Sequence, residues 1–297
     1  MKILITGASG MVGKELSLLL PNAFTPSSEE LNLENPKDVS AYMDKNKFEY
    51  VIHLAAHVGS LHDNIKNSTL YFDKNIIMNT VITKAAYDSG VKNFLGILST
   101  CIYPDSLEEF PIKEESLHEG KPHKDLMSYA YSKRSHAVQL DEYKKSFKVN
   151  YNYLIPCNMY GNVKHAGRSH YVNDLIFKIV EARKLNKSHI TLFGDGTPLR
   201  QFMHAKDFAK IIYLHVINNI NDSYNVAPDK NLSIHEMAIM ALKASGSKDL
   251  KVIYDDSFPN GQFRKDVSNK KMKKYFEDFK FLELQDGMRD IYELNRK

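Results

Sequence analysis

Four short runs of aliphatic and β-branched residues, Ile3–Thr6, Tyr50–Ala55, Phe94–Leu98 and Tyr153–Ile155, show no alternation of apolar and polar positions. Strands of that kind are buried on both faces, as in a parallel sheet covered by helices. The longer segments Lys14–Leu20, Tyr71–Ser89 and Tyr129–Phe147 space their apolar residues for helices. Strands alternating with helices over about 160 residues predict a Rossmann-like, doubly wound α/β sheet. Beyond Gly161 the rhythm loosens into Gly-, Asn- and Asp-rich loops, a helix near Val172–Leu185, a strand at Ile190–Phe193 and helices near Lys206–Ile217 and Ile234–Ala244. The expected organisation is a sheet domain over residues 1–162, with 201–224 crossing back to it, and a smaller lobe over 163–297.

Composition narrows the class. With 43% hydrophobic and 26% charged residues in 297, the chain can bury a sizeable core and is not a disordered sequence. The formal net charge of +4 is spread along the chain, which argues against a dedicated nucleic-acid binder and leaves room for a small anionic ligand. The two cysteines, Cys101 and Cys157, cannot build a disulfide framework or a four-thiolate zinc site. No run approaches the ~20 apolar residues of a membrane span, and MKILITGASG breaks at Gly7, too early for a signal-peptide core. The expectation is a cytoplasmic protein without a metal site.

The strand Ile3–Thr6 runs directly into Gly7-Ala8-Ser9-Gly10-Met11-Val12-Gly13 and then a helix. Glycines at these positions let the backbone turn sharply, approach a pyrophosphate and present helix N–H groups to its charge. A carboxylate about 20 residues later would accept the ribose hydroxyls of NAD. Here the segment reads Ala23-Phe24-Thr25-Pro26-Ser27-Ser28; the absence of a carboxylate before Glu29 favours NADP, although no arginine supplies counter-charge there.

Tyr129-Ala130-Tyr131-Ser132-Lys133 sets a phenol and an ammonium one helical turn apart. An ammonium near a phenol favours phenolate, so Tyr129 is expected to have a lowered pKa and to serve as an acid/base. Ser99 follows the third strand at its carboxyl end, where ligands bind in open α/β sheets.

TGASGMVG, HLAAHVG at 53–59, STCIYP at 99–104, YAYSK at 129–133 and PCNMYG at 156–161 resemble the extended short-chain dehydrogenases/reductases of nucleotide sugars. STCIYP, Ser169-His170, GDGTPLRQFMH at 194–204 and PNGQFRKDV at 259–267 resemble, more narrowly, the GDP-L-fucose synthase family. That resemblance implies an NADP(H)-dependent 3,5-epimerase/4-reductase of a GDP-linked 4-keto-6-deoxyhexose, with Ser99, Tyr129 and Lys133 as the reductase triad and Cys101 and His170 as the epimerisation pair. It implies cofactor contacts from Gly7, Ser9, Gly10, Met11, Val12, Gly13, Ser28, Leu54, Ala55, Ala56, Tyr129, Lys133, Pro156, Asn158 and Met159. Substrate contacts would come from Asn158, Lys178, Phe193, Arg200 and Lys265. It further implies a homodimer paired through the helices Tyr71–Ser89 and Tyr129–Phe147, with no nucleic-acid or membrane partner.

The chain departs from the family at Ser9 and Ser28, where arginines meet the NADP phosphate, and at His57, Lys178 and Phe193, which replace Lys, Arg and Trp. Three readings therefore stand: the bifunctional enzyme, a 4-reductase or 4-epimerase acting on a related GDP-sugar such as a dideoxyhexose or heptose, and a nucleotide sensor without catalysis. Thr100 and Cys101 occupy the place beside the triad where a dehydratase carries an acid.

Overall fold

Strand β1 (Ile3–Thr6) is buried along its whole length and pairs in parallel with β2 (Tyr50–His53). β3 (Asn93–Ile97), β4 (Asn150–Pro156) and β5 (Tyr224–Val226) continue the sheet in the order β1-β2-β3-β4-β5, every pairing parallel. The computed structural model describes residues 1–163, 170–258 and 260–296; Ser169 lies outside them. On the far side of β1 the chain bridges to the sheet at Phe24, whose N–H donates to the Ile3 carbonyl and whose carbonyl accepts from the Ile5 N–H, each at 2.8 Å. Pro26, which lacks a donor, follows two residues later.

The strands differ from their expected limits for identifiable reasons. The second ends at His53, two residues short of the expected limit, with the Leu54 N–H making the last ladder bond, 3.1 Å to the Thr6 carbonyl. The fourth begins at Asn150, three residues early, and absorbs the polar Asn152 because Lys144 Nζ meets its Oδ1 at 2.5 Å. A helix that apolar spacing does not predict, Pro36–Asn46, buries only Val39 and Met43. Its start is nevertheless chemical: Asn35 Oδ1 accepts from Lys37 N–H at 3.1 Å, and Pro36 occupies the first helical position.

Helices α1 (Met11–Leu19), α2 (Pro36–Asn46), α3 (Ser68–Asp88) and α4 (Met127–Phe147) belong to the sheet's layer. α3 packs on α4, and α1 packs on α6 (Ala205–Ile217), which follows α5 (Tyr171–Lys184) in the chain. Residues 203–227 together with Val267 and Met272 share the sheet's apolar core. A second core joins α5 to α7 (Ile234–Ala244) and α8 (Leu284–Asn295) beside the parallel pair His189–Phe193 and Lys251–Asp255. No described helix is long and apolar enough to cross a membrane.

Candidate active site

The loop after β1 is shaped by what its glycines lack. Gly7 has φ +72°, and a Cβ there would lie 2.6 Å from the Ala55 nitrogen, so this loop sits directly against the end of β2. A Cβ on Gly13 would meet the Gly7 carbonyl oxygen at 2.4 Å. Gly10 is the N-cap of α1 and offers no side chain to its first-turn N–H groups, which leaves that helix end able to receive an anion. Ser9 and Ser28 are exposed, Met11 is half-buried and Val12 is buried. Leu54, Ala55 and Ala56 form the adjoining wall, which Asn75 secures by exchanging hydrogen bonds with the His57 backbone at 2.9 Å in both directions. Pro156 ends β4, and Asn158 and Met159 follow, with Asn158 Nδ2 donating to the Gln201 carbonyl at 3.0 Å. This cradle fits a dinucleotide pyrophosphate, because backbone approaches backbone where any side chain would intrude.

Beneath the cradle lies a buried polar chain. Thr6 Oγ1 is 2.7 Å from His53 Nδ1, His53 Nε2 is 3.0 Å from Asn79 Oδ1, and Asn79 Nδ2 donates to the Ser132 carbonyl at 3.4 Å. Burial first, then the charge of Lys133, pushes His53 down to about 3, so the ring is neutral. The chain ties β1 and β2 through α3 to the turn of α4 that bears Tyr129 and Lys133.

The spacing of Tyr129 and Lys133 holds, but not the expected electrostatics. Lys133 is 2% exposed and donates from Nζ to the Ile97 carbonyl at 2.9 Å; burial lowers its pKa to about 8. The Tyr129 phenol is raised, not lowered: burial is the main cause, the nearby Cys101 adds to it, and a hydrogen bond with the Ser99 side chain acts in the opposite direction. Tyr71, whose hydroxyl is bonded to the Asp63 carboxylate, sits edge-on to Tyr129 with ring centroids 6.5 Å apart.

Cys101 lies in the short 3-10 turn Thr100–Ile102 that follows β3. Its N–H donates to Ser99 Oγ at 3.4 Å, and its sulfur receives Lys265 Nζ at 3.7 Å. Ser99, Tyr129, Cys101 and Lys265 are therefore one cluster. Burial lowers the Lys265 ammonium, opposed by the sulfur it faces. Arg200 is brought down to about 10 by burial, with Cys101 pulling the other way. Its guanidinium is bonded to the carbonyls of Leu199 (2.7 Å), Phe263 (3.2 Å) and Gln262 (2.5 Å). Cys157 is 5% exposed, and burial pushes its thiol well up.

His170 caps α5 with extended backbone, and burial lowers its imidazole. Its neighbour Tyr171 lines an open cleft of about 190 Å³ with Asn158, Phe193, Arg200, Phe202 and Asn260. Lys178 stands apart from the Cys101 cluster: Nζ donates to the Thr191 carbonyl at 2.7 Å and lies 4.8 Å over the Phe193 ring. Phe193 is 59% exposed and stacks on Phe258 at 3.9 Å between centroids. Apolar periodicity and charge counting miss Arg134, Tyr71 and Asn260. Arg134 adjoins Lys133 in sequence, yet nothing local indicates that its side chain turns inward to backbone carbonyls.

A family model described as the NAD dependent epimerase/dehydratase family matches residues 3–227. A GDP-L-fucose synthase of Dictyostelium discoideum is 32% identical over 99% of this chain and 97% of its own length. A GDP-L-colitose synthase of Yersinia pseudotuberculosis is 34% identical over 91% and 90%, respectively. Among solved structures, a GDP-L-fucose synthetase from Naegleria fowleri bound to NADP superposes with TM-score 0.87 at 27% identity, covering 99% of this chain and 94% of that one.

Proposed function

The chain belongs to the NAD dependent epimerase/dehydratase family, and from that membership we propose that it is an NADPH-dependent 3,5-epimerase/4-reductase of a GDP-linked 4-keto-6-deoxyhexose. The observation that carries this reading is the cluster at the end of β3, where the Ser99–Tyr129 pair of a reductase shares one site with a thiol, Cys101. Similarity to the GDP-L-fucose synthases supports the GDP-sugar, and the NADP-bound relative supports the cofactor.

The glycine loop and the open end of α1 would hold the cofactor's pyrophosphate, with Leu54–Ala56 and Pro156–Met159 along its length. When bound, the cofactor would be the source of the hydride that C4 of the sugar receives. Tyr129, hydrogen-bonded with Ser99, gives the proton that the C4 oxygen needs as the carbonyl is reduced. Burial keeps that phenol protonated, so it is poised as the acid. Lys133, fixed on the Ile97 carbonyl, brings positive charge to the same wall.

Epimerisation uses the same 4-keto group, which acidifies the protons on C3 and C5. Cys101 and His170 act from opposite faces, one removing a proton and the other returning one. Arg200 and Lys178 provide positive charge about the cleft for the diphosphate, and Phe193 offers an exposed ring beside it. The protein works in a reducing cytoplasm as a homodimer, a state supported by the exposed Leu70, Phe72 and Ile77 of α3 and Val138 and Phe147 of α4. Light scattering tests the dimer.

Incubation with GDP-4-keto-6-deoxymannose and NADPH in heavy water tests the function. Deuterium at C3 and C5 of a 4-reduced product is expected; reduction without exchange would leave a plain 4-reductase. The 34% identity to a GDP-L-colitose synthase favours a second reading, a 3,6-dideoxy substrate, and competition between the two sugars separates them.

A further inference from the structure

Lys265 faces a sulfur. Its ammonium lies 3.7 Å from Cys101 Sγ, across 164 residues of sequence. The segment that bears it is strapped in place: Arg200 holds the carbonyls of Gln262 and Phe263, and Leu199 forms a bridge with Arg264. Arg264 is bonded in turn to Asp266, 2.6 Å from Nε to Oδ1. Among the described residues, the charged and titratable groups that act on Lys265 are Cys101, Arg200 and Cys157. A half-buried lysine aimed at a thiol by a braced loop is placed differently from one awaiting a phosphate in an open cleft.

We propose that Lys265 is a positioning residue for epimerisation, its ammonium fixing the direction of the Cys101 sulfur beside Tyr129 and supporting it as the proton acceptor, rather than serving as a ligand of the nucleotide diphosphate. This rests on the role given to Cys101 above. The step is a proton transfer. The substrate C–H bond breaks with its electron pair passing into the enolate, an S–H bond forms on Cys101, and His170 returns a proton to the opposite face of the same carbon. Lys265 keeps its protons throughout, and nothing is oxidised or reduced. An ammonium beside a sulfur favours thiolate over thiol, and its removal is expected to cost about tenfold in that balance.

The test compares the full-length wild type with Lys265→Met and Lys265→Arg. Alkylation of Cys101 by iodoacetamide at pH 7, read by peptide mass spectrometry, needs no sugar. It is expected to slow about tenfold in Lys265→Met and to recover at least half-way in Lys265→Arg. With GDP-4-keto-6-deoxymannose, the kcat for C3/C5 deuterium exchange should fall about tenfold in Lys265→Met, while KM stays within about twofold. Alkylation at the wild-type rate together with a KM raised tenfold would overturn the proposal and return Lys265 to the diphosphate. If wild type fails to exchange or reduce this sugar, the function proposed above fails, while the alkylation comparison still decides whether Lys265 controls the thiol. Circular dichroism of both variants guards against misfolding, and slowed alkylation in Lys265→Met without recovery in a folded Lys265→Arg would also count against it.

Discussion

Arg134 grips the carbonyl oxygen of Ile102 through Nε, at 2.9 Å, and through Nη2, while Nη1 donates to the Gly120 carbonyl at 2.8 Å. Helix α4 thereby fastens the turn that carries Cys101 to the helix that carries Tyr129 and Lys133. Arg134 is buried, at 7% exposure, and all three of these guanidinium bonds go to backbone carbonyls, so they fix geometry rather than pair charge.

Arg134→Met should therefore cost both stability and chemistry. The buried Ile102 carbonyl loses its charge-assisted donors, at about 1–3 kcal/mol before relaxation, and the half-buried Gly120 carbonyl loses one. The urea midpoint should fall accordingly, and hydride transfer, followed as NADPH oxidation, should slow by about tenfold or more as the Ser99–Ile102 turn loosens. A wild-type midpoint would show that the turn holds without the arginine.

Tyr129→Phe removes the proton donor without opening a cavity of consequence. NADPH oxidation should fall by roughly 10²–10⁴-fold, the usual worth of a positioned acid, while NADPH affinity by fluorescence stays within about threefold. Deuterium exchange at C3 and C5 should persist in this variant, because the groups assigned to it are Cys101 and His170. Loss of exchange together with reduction would merge the two functions into one set of groups.

Gly13→Ala tests the cradle. The added Cβ would lie 2.4 Å from the Gly7 carbonyl oxygen and 2.5 Å from Ala8 Cα, both backbone atoms, so the loop must shift. The expected outcome is about 1–3 kcal/mol of lost stability and at least about tenfold weaker NADPH binding by calorimetry. Unchanged binding would mean that the pyrophosphate does not rest there.

Acid should unfold the protein through its buried histidines. Burial is the main cause that brings His53 to about 3 and His204 and His215 to about 4, and it also holds His136 well below the usual imidazole range. Between those values and about 6.5 the unfolded chain binds more protons than the native one, so stability is intact above pH 6.5 and drains as pH falls towards 4. Each histidine contributes at most about 2 kcal/mol of loss by pH 5. His136→Leu should flatten the fall of the urea midpoint between pH 6.5 and 5. Lys133 acts at the other end: its lowered pKa, about 8, makes stability rise with pH from about 8 towards 10.

The parts of this protein legible in the sequence are those in which neighbours along the chain decide the outcome. The run Ile3–Thr6 entering Gly7, Gly10 and Gly13 specifies a strand, a tight turn and an uncapped helix start, because the positive φ of Gly7 and the contacts of Gly13 with Gly7 and Ala8 are local, whereas the approach of Gly7 to Ala55 is not. Tyr129 and Lys133 share a face because helices repeat every 3.6 residues. Helix α2 is less legible, since two buried residues make a weak stripe, although Asn35-Pro36 signals its start.

Partner choice is another matter, and only the tertiary structure decided it. From spacing alone Lys133 should lower the Tyr129 phenol; the fold instead gives its ammonium to Ile97 and lets burial raise the phenol. Arg200, Lys178 and Lys265 are equivalent cations in the sequence. Packing turns the first to carbonyls of residues 199, 262 and 263, the second to Thr191 and the Phe193 ring, and the third to Cys101. A long charged side chain takes whatever acceptor the fold brings within about 3–4 Å, and which acceptor that is depends on segments far apart in the chain. Desolvation, which sets the protonation of each, likewise exists only once those segments have met.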